Sequence, residues 1–272
     1  MIGMDGIKDS VINQLVYFIQ KLHLSNDHST ACIDYKHTVI CGPPGTGKTE
    51  IAQIIGRMYS KIGILKKNVF RKVTRSDLVA GYLGQTAMKT KDVIESCLGG
   101  CLFIDEAYAL ANDDLDSYSK ECIDTLCEAL SNHKDNLMVI IAGYEEDLNQ
   151  IFFPANKGLE SRFIWKFRID SYDAKELCAI FVKKVRDINW SLESDDEIDY
   201  KWFEEKKANF KHFGRDVEML LSCTKVCHSR RIFCKDPSFR KKLNIDDINK
   251  GYAMYLKNKN KKEKPPVFGL YV

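Results

Sequence analysis

The sequence predicts an α/β protein in which a five-stranded parallel sheet flanked by helices is followed by a smaller all-helical domain. Short apolar runs alternate with segments of helical periodicity up to about residue 170, and only helical periodicity follows. A glycine-rich turn joins the first apolar run to the next helix. Helices between strands supply the crossovers that parallel strands need. We therefore place an α/β domain at 1–170, a helical domain at 171–258 and a basic tail at 259–272.

Each predicted element rests on a local pattern. Apolar residues at helical spacing from Asp5 to Leu22 predict an opening helix. The predicted strands are the apolar runs at 38–41, 69–73, 101–104, 137–142 and about 163–167. Helical periodicity occupies the segments at 47–61, 86–97, 117–131, 145–152, 173–187, 214–231 and 245–256.

Composition excludes several classes of protein. Hydrophobic residues make up 44% and charged residues 29% of the 272 residues, which is typical of a chain that folds around a core. No apolar run approaches the ~20 residues of a bilayer span, and no signal-peptide pattern opens the chain. We therefore expect a cytosolic or nuclear protein without membrane contact. A net charge of +3 gives no field that demands nucleic acid as a partner.

The ten cysteines are scattered, and several lie within apolar patterns. We expect them to be reduced, because a buried thiol behaves as a small hydrophobic group. The one cluster that invites comparison with a zinc site consists of Cys223, Cys227, His228 and Cys234. It lacks the paired spacing of zinc modules, so we expect these side chains to pack in the core.

The turn "GPPGTGKT" at 42–49 stands between the first predicted strand and the helix that follows. It fits the pattern G-x-x-x-x-G-K-[ST], in which backbone amides surround phosphate at the start of a helix. Lys48 would reach the β and γ phosphates of ATP, and Thr49 would place its hydroxyl on Mg²⁺. The alternative, a chance match, is disfavoured by the flanking strand and helix. The expected nucleotide-binding residues here are Pro44, Gly45, Thr46, Gly47, Lys48, Thr49 and Glu50.

Two carboxylates, Asp105 and Glu106, follow directly after the apolar run "CLFI". Charges at the end of a buried strand need a cation or water as a partner. Asp105 would hold magnesium, directly or through water, and Glu106 would orient and deprotonate the water that attacks the γ phosphate. The alternative for Glu106 is an exposed acid stabilised by a helix dipole. Together with the phosphate turn, the pair favours hydrolysis over simple binding.

With these motifs in place, the chain resembles the AAA+ ATPases, within the branch of the red-type Rubisco activases and stage V sporulation protein K. The resemblance extends to about residue 258. It is carried by the stretches "IGMDGIK", "GPPGTGKT", "VTRSDLVAGYLGQTAMKT", "GGCLFIDEAYAL", "LMVIIAGYEEDL", "GLESRF" and "FGRDVEMLL". It implies the P-loop NTPase fold and a homo-oligomeric ring, usually a hexamer, with ATP between neighbouring subunits.

The resemblance also implies roles for residues outside the phosphate turn. Ile2 and Gly3 match the stretch that lines the adenine pocket. Arg162 matches the arginine finger, which reaches the γ phosphate held by the next subunit. Arg215 matches the sensor that detects the γ phosphate within its own subunit. A loop matching the one that grips polypeptide in the central pore contains Tyr82, Leu83 and Gly84.

The chain departs from the family pattern at two places. Where many AAA+ proteins carry a polar sensor, often Asn, the sequence reads "AGY", and Tyr144 or a neighbour takes that position. Glu160 stands where the activase branch often has a basic residue. The chain also begins almost at the adenine-pocket stretch, so we expect recruitment through the ring face, the tail after Asn258 or another protein rather than through a separate N-terminal domain.

The leading functional prediction is an ATP-hydrolysing motor that grips and remodels a protein partner. One alternative is a nucleic-acid-acting ATPase of the helicase or loader kind. The low net charge and the lack of interleaved basic and aromatic residues near the pore loop weigh against it. Another alternative is a nucleotide-gated scaffold with little turnover. A mere switch needs neither Glu106 nor Arg162, so their joint presence argues for hydrolysis. For the tyrosine of the pore loop, the alternative is packing on its own domain.

Overall fold

The computed structural model describes residues 2–24, 34–82, 84–111, 116–194 and 198–262. The chain divides into two compact units. The larger unit comprises Met4–Pro43 and Gly47–Asp170. The smaller unit comprises Met1–Gly3, Pro44–Thr46 and Ser171–Val272.

The larger unit is built on a five-stranded parallel sheet, which confirms the predicted fold. Its strands in chain order are β1 Thr38–Cys41, β2 Phe70–Val73, β3 Cys101–Ile104, β4 Met138–Gly143 and β5 Trp165–Arg168. They lie in the order β2-β3-β4-β1-β5. The inner strands β1, β3 and β4 are buried along their whole length, whereas both edge strands expose basic side chains.

Helices cover both faces of this sheet. They are α1 Asp5–Ile19, α2 Lys48–Lys61, α3 Arg75–Leu78, α4 Thr86–Ser96, α5 Ser117–Asn132, α6 Glu145–Asp147 and α7 Leu159–Arg162. Successive strand residues face opposite sides. Val39 belongs to the apolar cluster that contains Leu126 of α5. Its neighbour Ile40 belongs to the cluster that contains Ile55 of α2.

The observed helices differ from the predicted ones at several ends. Helix α1 stops at Ile19, before the predicted end, and Lys21 then adopts a left-handed φ of 57°. The predicted helix at 145–152 consists of α6 and a π-helical turn, Leu148–Phe152. Helices α3 and α7 have four residues each, which is too short to show helical periodicity in the sequence.

The smaller unit is helical, as predicted, and also contains two short strands. Its helices are α8 Ala174–Asp187, α9 Tyr200–Lys206, α10 Phe213–Arg231 and α11 Ile245–Lys262. A parallel pair is formed by β6 Ser191–Leu192 and β7 Lys242–Leu243. Strands of two residues carry no alternation that a sequence could reveal.

Helix α11 continues past the predicted start of the tail at residue 259. Lys259 donates to the hydroxyl of Tyr255 at 3.0 Å and to the carbonyl of Asn209 at 2.5 Å. These bonds tie the last described turns of α11 to the rest of the unit. The tail residues 263–272 lie outside the described residues.

The cluster of three cysteines and one histidine is not packed in the core as a group, contrary to expectation. Only His228 is buried, whereas Cys223 and Cys227 are half-buried and Cys234 is exposed. Cys234 lies beyond the end of α10 with a left-handed φ of 63°. Within the part of the chain that the structure describes, no group of metal-ligating side chains is arranged to hold an ion. Over the same residues, no helix combines the length and the apolar character that a bilayer crossing requires.

Candidate functional site

The phosphate turn leaves β1 at Cys41 and enters α2 at Lys48. Gly45 and Gly47 have left-handed φ values of 77° and 88°, which glycine adopts without the steric cost of a side chain. At Gly45 a methyl group would also overlap the carbonyl oxygen of His212 and lie 3.1 Å from the Cβ of Arg215. A helix start preceded by such a turn presents free backbone amides to an anion.

Lys48 lies at the first position of α2 and is folded against the turn. Its Nζ donates to the carbonyls of Gly42 at 2.8 Å and Pro43 at 3.0 Å. The same ammonium lies 5.3 Å from the ring centroid of Tyr144, which in turn stacks on Tyr108. Tyr144, the residue considered for the sensor position, therefore lies next to Lys48.

The other predicted residues of the turn fall in both units. Pro44, Gly45 and Thr46 belong to the smaller unit, in which Gly214 donates its amide to the carbonyl of Gly45 at 3.0 Å. Thr49 and Glu50 occupy the first turn of α2, with Thr49 half-buried and Glu50 exposed.

Asp105 and Glu106 follow β3 at its carboxyl end. The half-buried carboxylate of Asp105 forms an ion pair of 2.6 Å with Nζ of Lys72, which lies on the neighbouring strand β2. Glu106 is exposed and has a left-handed φ of 51°. Such a backbone is uncommon for a residue other than glycine and is found at functional sites more often than elsewhere. Sequence analysis did not anticipate Lys72.

A cavity of about 620 Å³ opens beside these carboxylates within the larger unit. Its lining consists of Thr74, Arg75, Ser76, Val79, Ala80, Gly81, Asp105, Glu106 and Ala109. The structure thus brings the two acidic residues together with α3 and with the segment that leads to Tyr82. Arg162 does not line this cavity.

Arg75, which sequence analysis missed, links three elements around the cavity. Its Nη1 donates to the carbonyl of Ala109 at 3.0 Å, in the turn after Glu106, and to the hydroxyl of Ser119. Its Nη2 bonds the carboxylate of Asp116, which caps the start of α5. The hydrogen bond from Arg75 and one from the hydroxyl of Ser119, which donates to the same carboxylate at 2.8 Å, lower the pKa of Asp116 to about 2.

Tyr82 stands in the loop between α3 and α4. Its side chain is 73% exposed, so it is not packed on its own domain. The loop closes where the amide of Gln85 donates to the carbonyl of Tyr82 at 3.3 Å, and Gly84 has a left-handed φ of 76°. Leu83, the third residue of the predicted pore loop, lies outside the described residues.

Arg162 ends helix α7 and is held by neutral oxygens. Its Nε donates to the hydroxyl of Ser131 at 2.7 Å, and its Nη1 donates to the carbonyl of Gly158 at 2.6 Å. Glu160 on the same helix pairs instead with Lys166 at 2.9 Å. No carboxylate among the described residues forms an ion pair with Arg162, so its charge is available to an anion.

Ile2, Gly3 and Arg215 belong to the smaller unit. Gly3 has a left-handed φ of 62° and lies against the side chain of Glu176. Arg215 occupies the first turn of α10, where its amide donates to the carbonyl of His212 at 3.0 Å.

Comparison with known proteins gives relatives over most of the chain. The model of the ATPase family associated with various cellular activities (AAA) matches residues 38–164. The chain is 41% identical over 260 residues to the putative cfxQ-like protein R730 of Acanthamoeba polyphaga mimivirus, covering 94% of this chain and 63% of that protein. It is 32% identical over 241 residues to protein CbbX of Cereibacter sphaeroides, covering 86% and 76%.

A third relative and a solved structure are also similar to this chain. The chain is 45% identical over 148 residues to the ESX-3 secretion system protein EccA3 of Mycolicibacterium smegmatis, covering 54% of this chain but only 24% of that protein. The crystal structure of the FIGL-1 AAA domain in complex with ADP aligns with a TM-score of 0.67 at 16% identity, over 98% of this chain and 84% of that one. Because the identity to CbbX extends over three quarters of that protein and the fold agrees, the chain belongs to the AAA family of ATPases.

Proposed function

We propose that this ATPase uses hydrolysis to remodel a protein partner, which it grips with Tyr82 in the pore of a homo-oligomeric ring. One observation carries the proposal. The cavity that holds Asp105 and Glu106 is also lined by Ala80 and Gly81, which lead directly to the exposed Tyr82. Hydrolysis of the nucleotide and binding of the protein partner would therefore act on the same short stretch of chain.

The residues of the phosphate turn fit a triphosphate. Gly45 and Gly47 both have a left-handed backbone, and Gly47 directly precedes the start of α2, whose free amides would receive the phosphates. Lys48 would exchange the carbonyls of the turn for the β and γ phosphates. Thr49 and Asp105 would hold magnesium, which supplies positive charge to the phosphates when bound. Lys72 would release Asp105 at that moment.

Glu106 would serve as the base that takes a proton from the attacking water. Arg162 of the neighbouring subunit would stabilise the negative charge that develops on the γ phosphate, and its neutral partners leave its charge available for this. Arg215 would report the presence of the γ phosphate to α10. Tyr144, beside Lys48, is our candidate for the sensor at the end of β4.

The first test replaces the proposed base. We expect Glu106→Gln to release phosphate at least about a hundredfold more slowly than the parent while binding ATP as tightly, because general base catalysis contributes 10²–10⁴-fold. Steady-state phosphate release and binding of a fluorescent ATP analogue measure the two quantities. Glu95→Gln, an exposed substitution on α4, is the matched control. Unchanged turnover in Glu106→Gln would remove Glu106 from the mechanism.

The second test separates hydrolysis from gripping. We expect Tyr82→Ala to keep basal ATP hydrolysis within about twofold and to lose stimulation by an unfolded polypeptide, because an exposed aromatic ring supplies contact area without touching the nucleotide. Reduced, carboxymethylated α-lactalbumin is the probe, and phosphate release with and without it is the measurement. Tyr82→Phe is the control and should keep the stimulation. Equal stimulation of Tyr82→Ala and the parent would contradict the gripping role.

A further inference from the structure

A basic and aromatic segment at the end of α10 has no place in the proposed motor. It consists of residues 230–242 of the smaller unit, and we call it the basic segment. It contains a single acidic residue, Asp236, and six basic residues, Arg230, Arg231, Lys235, Arg240, Lys241 and Lys242. Two phenylalanines are exposed within it, Phe233 at 81% and Phe239 at 40%.

Most of the charge of the basic segment is unpaired. Arg231 is committed to Asp247 and Glu193. Asp236 accepts the amide of Ser238 at 2.8 Å and so caps a 3-10 turn. The other five basic side chains are exposed and form no ion pair with any residue that the structure describes.

A buried polar network fixes the backbone of this segment. The carboxylate of Asp247, which is only 1% exposed, accepts Nδ1 of His228 at 2.9 Å and Nε of Arg231 at 2.9 Å. The same two side chains also contact backbone carbonyls further along the basic segment. Nε2 of His228 lies 3.2 Å from the carbonyl oxygen of Arg240, and Arg231 donates Nη2 to the carbonyl of Lys242 at 2.9 Å.

This arrangement is costly for a loop that only connects two helices. Burying charged groups costs free energy that apolar packing would not. Phe233 leaves its ring in water, although burying such a side chain would stabilise the fold. Cys234, the next residue, holds a left-handed φ of 63°. The fold therefore holds unpaired cations and an apolar ring outward in a defined conformation.

We propose that the basic segment is a docking surface for an acidic polypeptide segment that carries apolar side chains. The five free cations match carboxylates, and Phe233 and Phe239 match apolar side chains between them. The net charge of the chain is only +3, which disfavours nucleic acid as the partner. The surface acts in recruitment and does not depend on the hydrolytic or gripping roles proposed above.

The test uses the whole chain and a fluorescein-labelled synthetic peptide in which Asp and Glu alternate with Leu and Phe. Fluorescence anisotropy measures its affinity. We expect the double variant Arg240→Glu, Lys241→Glu to bind at least about tenfold more weakly than the parent, because like charges then face each other. Phe233→Ser should also weaken binding while leaving every charge in place. The matched control is Lys91→Glu with Lys120→Glu, which reverses two exposed lysines of the larger unit.

Equal affinity of the double variant and the parent would overturn the proposal, as would equal weakening by the control pair. All variants should keep the thermal midpoint and the basal ATP hydrolysis of the parent, since the altered side chains are exposed. Single-stranded oligo-dT and vesicles containing phosphatidylserine are the competing probes. If either binds more tightly than the peptide and loses that binding in the double variant, the surface recognises that polyanion and the acidic-polypeptide proposal is wrong.

Discussion

At the scale of single residues, His37 shows how burial decides a protonation state. Its ring is fully buried just before β1. Nε2 donates to the carbonyl of Leu130 at 3.1 Å, and Nδ1 accepts the amide of Val139 at 3.0 Å. One donor and one acceptor satisfy a neutral imidazole, and burial lowers the pKa of His37 from 6.5 to about 3.

This depressed pKa predicts how stability changes with pH. Between pH 6.5 and about 3, the unfolded chain binds a proton at this residue and the folded chain does not. The free energy of unfolding is therefore independent of this histidine above pH 6.5. Below that pH, the histidine lowers the free energy of unfolding by up to ~1.4 kcal/mol per pH unit. Urea unfolding at several pH values between 7.5 and 5 measures the slope.

The variant His37→Gln should show a smaller slope of unfolding free energy against pH than the parent. Some slope should remain, because burial also lowers the pKa of His23. The control Asn132→Gln, an exposed change that alters no titratable group, should keep the slope of the parent. If His37→Gln and the parent have the same slope, the neutral buried ring is not the source of the pH dependence.

At the scale of elements, Arg75 joins α3, the turn after Glu106 and the start of α5. Helix α3 itself is stabilised by a capping box in which Thr74 and Asp77 satisfy each other's backbone amides. A guanidinium can hold Ala109, Ser119 and Asp116 at once because its donors are fixed in a planar fork, whereas an ammonium has no such geometry.

We therefore expect Arg75→Lys to lower kcat for ATP hydrolysis by about tenfold with little change in KM, because hydrogen bonds to charged groups contribute ~1.5–3 kcal/mol and these position the turn that carries Glu106. The matched control is Arg71→Lys on β2, where the hydrogen bond of the guanidinium within the described ranges goes to the exposed Ser96 at 2.6 Å. Steady-state kinetics at varied ATP give both constants. A kcat equal to that of the parent would show that the link does not position the turn.

At the scale of the whole molecule, we propose that a second copy of the chain completes the active site. Asp105 and Glu106 line a cavity whose lining does not include Arg162 of the same chain. Head-to-tail contacts that close into a ring would repeat one such shared site at every interface. A site shared between subunits predicts that two variants, each inactive alone, recover ATP hydrolysis when they are mixed.

Mixing Glu106→Gln with Arg162→Ala tests this sharing. Each variant alone should be inactive, whereas an equal mixture should recover roughly a quarter of the parent activity, since random heterologous assembly pairs an intact base with an intact finger at that frequency. Phosphate release after co-refolding or subunit exchange is the measurement. A mixture of Glu106→Gln with Lys48→Ala should stay inactive, because both changes fall on the same side of the interface. No recovery in the first mixture would contradict an arginine supplied in trans.

Several elements and the phosphate turn could be predicted because their signals are local. The first, third and fourth strands are nearly continuous apolar runs, and the observed β1 and β3 begin and end where those runs do. The turn at 42–49 combines glycine, lysine and threonine at a spacing that its own backbone requires. The carboxylates at 105 and 106 follow a buried strand directly, so chain order alone placed them at its end.

The sequence by itself determined the fold class, the family and the positions of the phosphate turn and the acidic pair. Only the tertiary structure decided that Lys72 pairs with Asp105, that Arg75 holds Asp116 and that His228 fixes the basic segment. It also decided which apolar residues are exposed, Tyr82 and Phe233 among them. The physical reason is that local periodicity and turn chemistry act over a few residues, whereas these contacts join distant positions whose meeting depends on how helices and strands pack.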